Sequence, residues 1–221
     1  MRGLYALIDT DALAPRGLDP VQFCAAILRA RPAAVQLRDK RGGARRTLAL
    51  LRAMAPLAQA AEVPLFGNDR PDLALLGGAT GVHVGQDDVP PAMVGAMAAD
   101  RLQIGLSTHD EAQVREALGE PIDVLALGPL FPTAHKERPE RALGWETLGT
   151  LAALVREKRP ELVLVAIGGL GLEVAPRVAE LVDLGAVIGA LLPSDAADPR
   201  WPDDVTERAW ALHRAFGGAS K

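Results

Sequence analysis

Eight short apolar runs recur along the chain, each stopping abruptly in small, acidic, hydroxyl or charged residues, and this rhythm constrains the fold more than any other feature. The runs fall at residues 4–8, 33–37, 64–67, 81–85, 102–106, 123–128, 162–167 and 186–188. Continuous apolar runs of this length read as strands covered on both faces. Helical patterns separate them, at residues 20–30, 44–61, about 72–76, 91–99, 111–118, 145–158, 172–182 and 203–216. Pro20 stands at a first helical position, and Gly42-Gly43 breaks the chain before the longest helix. Without hairpin signals between the runs, strands alternating with helices imply a parallel sheet. Eight such units favour closure into a (β/α)₈ TIM barrel over an open sheet. A dinucleotide-binding sheet is disfavoured, because no Gly-x-Gly-x-x-Gly follows the first strand.

The chain of 221 residues suits one domain, with a barrel core over about residues 4–192 and a closing helix. A net charge of −4 gives no general nucleic-acid surface. Cys24 is the single cysteine, so no intramolecular disulfide can form, and its apolar-periodic surroundings predict a buried helix thiol. No stretch approaches the ~18 uninterrupted apolar residues of a membrane span. The N-terminal apolar run is too short for a signal peptide. The expected compartment is the cytoplasm, and assembly into a homo-oligomer is compatible with the sequence.

In such a barrel the loops after the strands build the active site. Read in order, the strand ends carry Arg38 and Lys40, Asn68 and Asp69, Gln86 to Asp88, Ser107 to His109, Thr133 to Lys136, Gly168-Gly169 and Gly189. Arg38 offers a fork for phosphate oxygens and Lys40 a compact charge; as plain loop residues they would simply be solvated. Asp69 and Asp88 both precede helix starts and could be caps. Emerging at one end of one sheet beside cations, they instead suit a hard-cation site, Mg²⁺ being held by one or two carboxylates with water and substrate phosphate. Asp72 and Asp87 are the alternative ligands. Ser107 or Thr108 can cap the following helix, and His83 reads as a core or lumen residue. Gly168-Gly169 allows close backbone approach in the phosphate-cradling quarter of this fold.

Taken together, Val35-Gln-Leu-Arg-Asp-Lys40, Gly67-Asn-Asp69, Gly81-Val-His-Val-Gly-Gln-Asp-Asp88, Gly105-Leu-Ser-Thr-His109, Gly128-Pro-Leu-Phe-Pro-Thr133 and Val165-Ala-Ile-Gly-Gly169 resemble the thiamine phosphate synthase family. The resemblance implies a barrel transferase that couples a pyrimidine diphosphate to a thiazole phosphate, releasing pyrophosphate, with Mg²⁺ as cofactor. It also implies roles. Asp69 and Asp88 match the metal ligands. Gln36, Arg38, Lys40, Asn68, Ser107 and Lys136 match the groups around the pyrimidine diphosphate, with Arg38, Lys40, Ser107 and Lys136 assisting the chemistry. Thr133, Gly169, Ile188 and Gly189 match the thiazole phosphate side.

Three departures fall within the matched stretch. His135 replaces the second threonine of a Thr-x-Thr-Lys pattern in that substrate-binding loop, Gly189 replaces a serine, and Leu181-Val-Asp-Leu-Gly185 lacks a Gly-Ala-Asp-Gly turn. They are expected to alter the thiazole phosphate half. Two alternatives remain at this level: a thiazole tautomerase-like isomerase using acid–base chemistry at His109, and a non-catalytic phosphate-ligand barrel. The paired carboxylates argue against the isomerase.

Overall fold

In the computed structural model, which describes residues 1–132 and 141–219, eight parallel strands close into a barrel in chain order. The order is β1 (Gly3–Asp9), α1 (Thr10–Leu13), α2 (Pro20–Leu28), β2 (Ala34–Arg38), α3 (Gly43–Ala61), β3 (Leu65–Asn68), α4 (Pro71–Gly77) and β4 (Gly81–Val84). Then come α5 (Pro91–Ala98), β5 (Gln103–Thr108), α6 (Glu111–Ala117), β6 (Val124–Leu127), α7 (Gly144–Lys158), β7 (Val163–Ile167), α8 (Ala175–Leu181), β8 (Leu184–Val187) and α9 (Trp201–Ala215). β8 returns to β1 with Gly3 opposite Leu184 and Ala6 opposite Val187. The expected (β/α)₈ barrel is the architecture found.

Two apolar cores explain why the strands carry continuous rather than alternating apolar sequence. Leu4, Ala6, Ile8, Val35, Leu37, Val82, Leu125 and Leu164 face outward into a shell shared with the helices. Their alternate neighbours Tyr5, Leu7, Ala34, Phe66, Val124, Ala126, Val165, Leu184 and Ala186 face inward and fill the lumen. The barrel is therefore a packed plug below its mouth. Cys24 is fully buried on α2 and burial pushes its thiol up to about 12, as expected of a structural cysteine.

The opposite face is held by clasps at the strand starts. Thr80, just before β4, takes the Leu65 amide on its hydroxyl at 3.0 Å. Asp123, before β6, takes the Ile104 amide at 2.7 Å, and Asp183, before β8, takes the Leu164 amide at 2.8 Å. The Leu181–Gly185 departure thus lies at the N-terminal end of β8, away from the mouth, and its aspartate does structural work. This corrects the expectation that it alters the thiazole phosphate half.

Other differences have local causes. β5 runs on through Ser107 and Thr108, which pair with Ala126 and Leu127, because a strand at the mouth can present polar side chains without leaving the ladder. Neither residue caps α6; Asp110 does, accepting from the Gln113 amide. α1 was not expected at all. It forms because Asp9, ending β1, accepts the amides of Asp11 and Ala12. β8 begins two residues earlier than its apolar run suggests, across Gly185. A Cβ at Gly185 would lie 2.2 Å from the ring of Phe216, which is fully buried where the C-terminal helix seats on the barrel.

That close approach generates a test. Gly185→Ala overpacks the contact and should cost about 1–3 kcal/mol in urea unfolding. An unchanged midpoint would show that α9 shifts freely on the barrel.

Candidate active site

β3 and β4 deliver the two acids singled out in the sequence to one place. Asp69 follows β3 in a left-handed conformation, φ 61°, with the Arg70 amide closing back onto the Asn68 carbonyl at 2.7 Å. A three-residue turn with positive φ at a non-glycine residue is strained, and such strain gathers at functional sites. The Asp69 amide donates to the His83 carbonyl at 2.8 Å, tying the turn to β4. Its carboxylate meets Lys40 Nζ at 2.9 Å. Asp88 accepts the Gly85 amide at 2.7 Å, folding the turn after β4 back on itself. Burial holds the Asp88 carboxyl above the usual carboxylate range, and the Asp69 charge acts in the same direction, against the Gly85 amide and Lys40. Two acids in mutual repulsion want a proton or a cation. Neither acts as a helix cap by side chain: Arg70 occupies the start of α4 and Pro90 that of α5. Asp87 is exposed, and Asp72 is taken by a two-pronged contact with Arg70.

No group of three or more His, Cys, Asp or Glu side chains among the described residues is arranged to hold a metal alone. The donor set fits a hard divalent ion that takes two carboxylates and completes its shell with water and substrate oxygens.

Across β1 and β2, Arg38 pairs with Asp9 at 2.6 Å, the Asp9 side chain being only 2% exposed and that of Arg38 17%. The Asp39 side chain is fully buried and accepts from Thr10 at 2.7 Å and Thr47 at 2.9 Å. Gln36 points into the lumen and donates to the Tyr5 hydroxyl at 2.7 Å. Sequence reading missed Asp9, Thr10 and Asp39 as supports of this quarter. Their signal was present only as polar ends, Asp9-Thr10 after the first strand and Asp39 after the second.

On β4 and β5, His83 Nε2 lies 2.9 Å from Ser107 Oγ. Burial pushes the imidazole down to about 4, only partly offset by Asp69. Gln86 donates to the Ser107 carbonyl at 2.7 Å. His109 is partly buried, with Nδ1 2.6 Å from the Gly128 carbonyl oxygen.

After β7, Gly168 and Gly169 both take positive φ, 105° and 66°, and a Cβ on Gly168 would meet Pro129 at 2.5 Å. Only glycine fits this double turn. Ile188 is partly buried above the lumen core, and Gly189 opens a short 3₁₀ turn, Gly189–Leu191. Gly169, Glu173, Ala190 and Arg208 are among the residues around a neighbouring cleft of about 360 Å³. Thr133, His135 and Lys136 lie outside the described residues.

Acids, cations, hydroxyls and glycine turns gathered at the C-terminal rim of a (β/α)₈ barrel define an enzyme that handles anionic small molecules. Comparison with known proteins narrows the class. A family model described as thiamine monophosphate synthase matches residues 4–191. A thiamine-phosphate synthase of Koribacter versatilis is 34% identical over 203 residues, covering 89% of this chain and 90% of the relative. One from a Roseiflexus species is 36% identical, covering 98% and 86%. A solved structure, thiamine phosphate pyrophosphorylase from Pyrococcus furiosus, superposes with a TM-score of 0.79 at 26% identity, covering 97% of each chain. The chain belongs to the thiamine monophosphate synthase family, and it is a transferase. No helix among the described residues is long and apolar enough to cross a membrane.

Two outcomes test this geometry. Asp9→Asn keeps the volume but removes the charge facing Arg38. Because the guanidinium is partly solvated, the expected loss is about 1–3 kcal/mol, below that of a fully buried pair. An unchanged urea midpoint would show that solvent holds Arg38 equally well. The second concerns His83. An unfolded histidine titrates near ~6.5, while the folded one is held at about 4. The unfolded chain therefore binds the proton first. The contribution of neutral His83 is complete above pH ~6.5 and is lost as pH falls toward 4. His83→Gln should flatten the pH dependence of unfolding in that window relative to the parent chain.

Proposed function

We propose that this barrel couples 4-amino-2-methyl-5-(diphosphooxymethyl)pyrimidine with a thiazole phosphate to give thiamine phosphate and pyrophosphate. The observation that carries the reading is the convergence of Asp69 and Asp88 beside Lys40 at the ends of β3 and β4. Family membership and the synthase name shared by the curated relatives support the same reaction. The isomerase alternative is not favoured.

The bond between the pyrimidine methylene and the diphosphate oxygen breaks, and its electron pair leaves with pyrophosphate. The electron-rich aminopyrimidine ring stabilises the resulting cation. The thiazole nitrogen then donates its lone pair to the methylene carbon. No nucleophilic side chain is needed. The protein's work is to orient both rings and to neutralise charge on the departing group. Asp69 and Asp88 would hold Mg²⁺, which when bound supplies positive charge to the diphosphate oxygens. Lys40 and Arg38 add cationic contacts from the end of β2, and Asn68 and Ser107 offer hydrogen bonds. Gln36, held by the Tyr5 hydroxyl, would meet the pyrimidine edge. Exposed amides around Gly169, Ile188 and Gly189 suit the thiazole phosphate.

The test is formation of thiamine phosphate by the purified protein with both substrates and Mg²⁺. Asp69→Ala should lower turnover at least ~100-fold, the scale of losing a preorganised electrostatic contact, with the fold intact by circular dichroism. Full activity in that variant would sink the metal-ligand role. Gly189→Ser should lower the KM for the thiazole phosphate by restoring a hydroxyl.

A further inference from the structure

His83 sits in an unusual arrangement inside the barrel. It pairs in register with Gly105 on β5, and both positions face the lumen. A Cβ on Gly105 would lie 2.4 Å from His83 Nδ1, so the imidazole occupies the space a side chain there would take. Tyr5 flanks the ring, with centroids 6.2 Å apart. Nε2 lies against Ser107 Oγ, whereas Nδ1 is buried and has no hydrogen-bond partner among the described residues.

These contacts choose a tautomer. A neutral imidazole carries one N–H and one lone pair. A proton on Nδ1 would bury an unmatched donor against Gly105, and orphaned buried N–H groups are rarer than under-used acceptors. A ring protonated at both nitrogens would bury a charged donor without a partner, which costs more still. The proton therefore belongs on Nε2, donated to Ser107 Oγ. The Ser107 hydroxyl then cannot give its own proton back to the ring. Ser107 is partly exposed at the mouth, where a ligand above the lumen can reach its O–H. The reverse arrangement would turn oxygen lone pairs toward an anionic ligand.

We propose that His83 is a positioning residue for the coupling reaction: it donates from Nε2 to Ser107 Oγ and so fixes the Ser107 O–H as a hydrogen-bond donor to the diphosphate-bearing substrate. This deepens the proposed function and rests on that reading for the identity of the ligand. The tautomer itself does not rest on it.

The test has two arms. In protein labelled with ¹⁵N in its histidine rings, the His83 signals are assigned as those missing from His83→Gln. They should show the proton on Nε2; a proton on Nδ1 overturns the proposal whatever the enzyme's activity. In the kinetic arm, His83→Leu should lower kcat ~100- to 1,000-fold, on the scale of losing one preorganised donor. The KM for the thiazole phosphate should not change. His83→Gln, which keeps an N–H donor, should recover most of that loss. In the Ser107→Ala background, His83→Leu should cost little more, since the two act as a unit. An undiminished loss there would mean that the histidine acts independently of Ser107, and would overturn the proposal. Failure of the parent protein to form thiamine phosphate would count against the proposed reaction, leaving the tautomer measurement to stand or fall alone.

Discussion

Parallel pairing carried all the way round is the constraint on which everything else depends. Once β8 pairs with β1, all eight strands run the same way and every strand ends at one rim. Several strands have only four residues, so the rim is never far from the packed lumen. Closure is secured away from the rim, by the Thr80, Asp123 and Asp183 clasps and by Phe216 seated on Gly185. The division lets residues at the mouth answer to chemistry. A left-handed aspartate, a double-glycine turn and two repelling acids all sit there, on a scaffold whose stability comes from elsewhere.

The rim acids are sorted by their partners. Asp9 faces Arg38 and caps α1, and the buried Asp39 carboxylate takes one hydroxyl on each oxygen, from Thr10 and Thr47. Both are bound into the protein and have little left to offer a ligand. Asp69 and Asp88 are different: one meets a half-exposed lysine, the other a single backbone amide, and the Asp69 charge raises the cost of charging Asp88. A carboxylate pair under-compensated by the protein is what a divalent ion with substrate oxygens would complete. Four aspartates at one rim thus divide into two that build the site and two that remain available to it.

The division explains what could be read from sequence. Strand number, order and parallel sense were legible because two-sided burial writes itself as continuous apolar runs. The residues at strand ends were legible because the fold class says where they must emerge. Boundaries failed where polar or glycine residues continued a ladder, at Ser107 and Thr108 on β5 and at Gly185 on β8. Buried polar partnerships were invisible. Nothing in Asp9-Thr10 says that one grips Arg38 while the other binds Asp39, because those contacts join residues about thirty positions apart. The turn at Leu181–Gly185 lies at the start of β8, and sequence similarity does not state which face of the barrel a departure occupies.

The lumen also explains how one mouth can serve two unlike ligands. Around β3, β4 and β5 its upper tier is polar, with Asn68, His83 and Ser107 above the Tyr5–Gln36 contact. Around β6, β7 and β8 it is apolar, with Ala126, Ile167, Ala186 and Ile188, and the charged groups give way to glycine turns. For the proposed reaction this asymmetry separates two demands. Charge on a leaving diphosphate is met where cations and hydrogen-bond donors are dense. A thiazole ring needs an apolar surface and backbone amides for its phosphate, but no strong acid or base that could compete for its nitrogen. Water attacking the methylene cation would waste the substrate. The apolar tier beside the polar one leaves it few anchoring points, and a dry, oriented approach is worth more here than any single catalytic side chain.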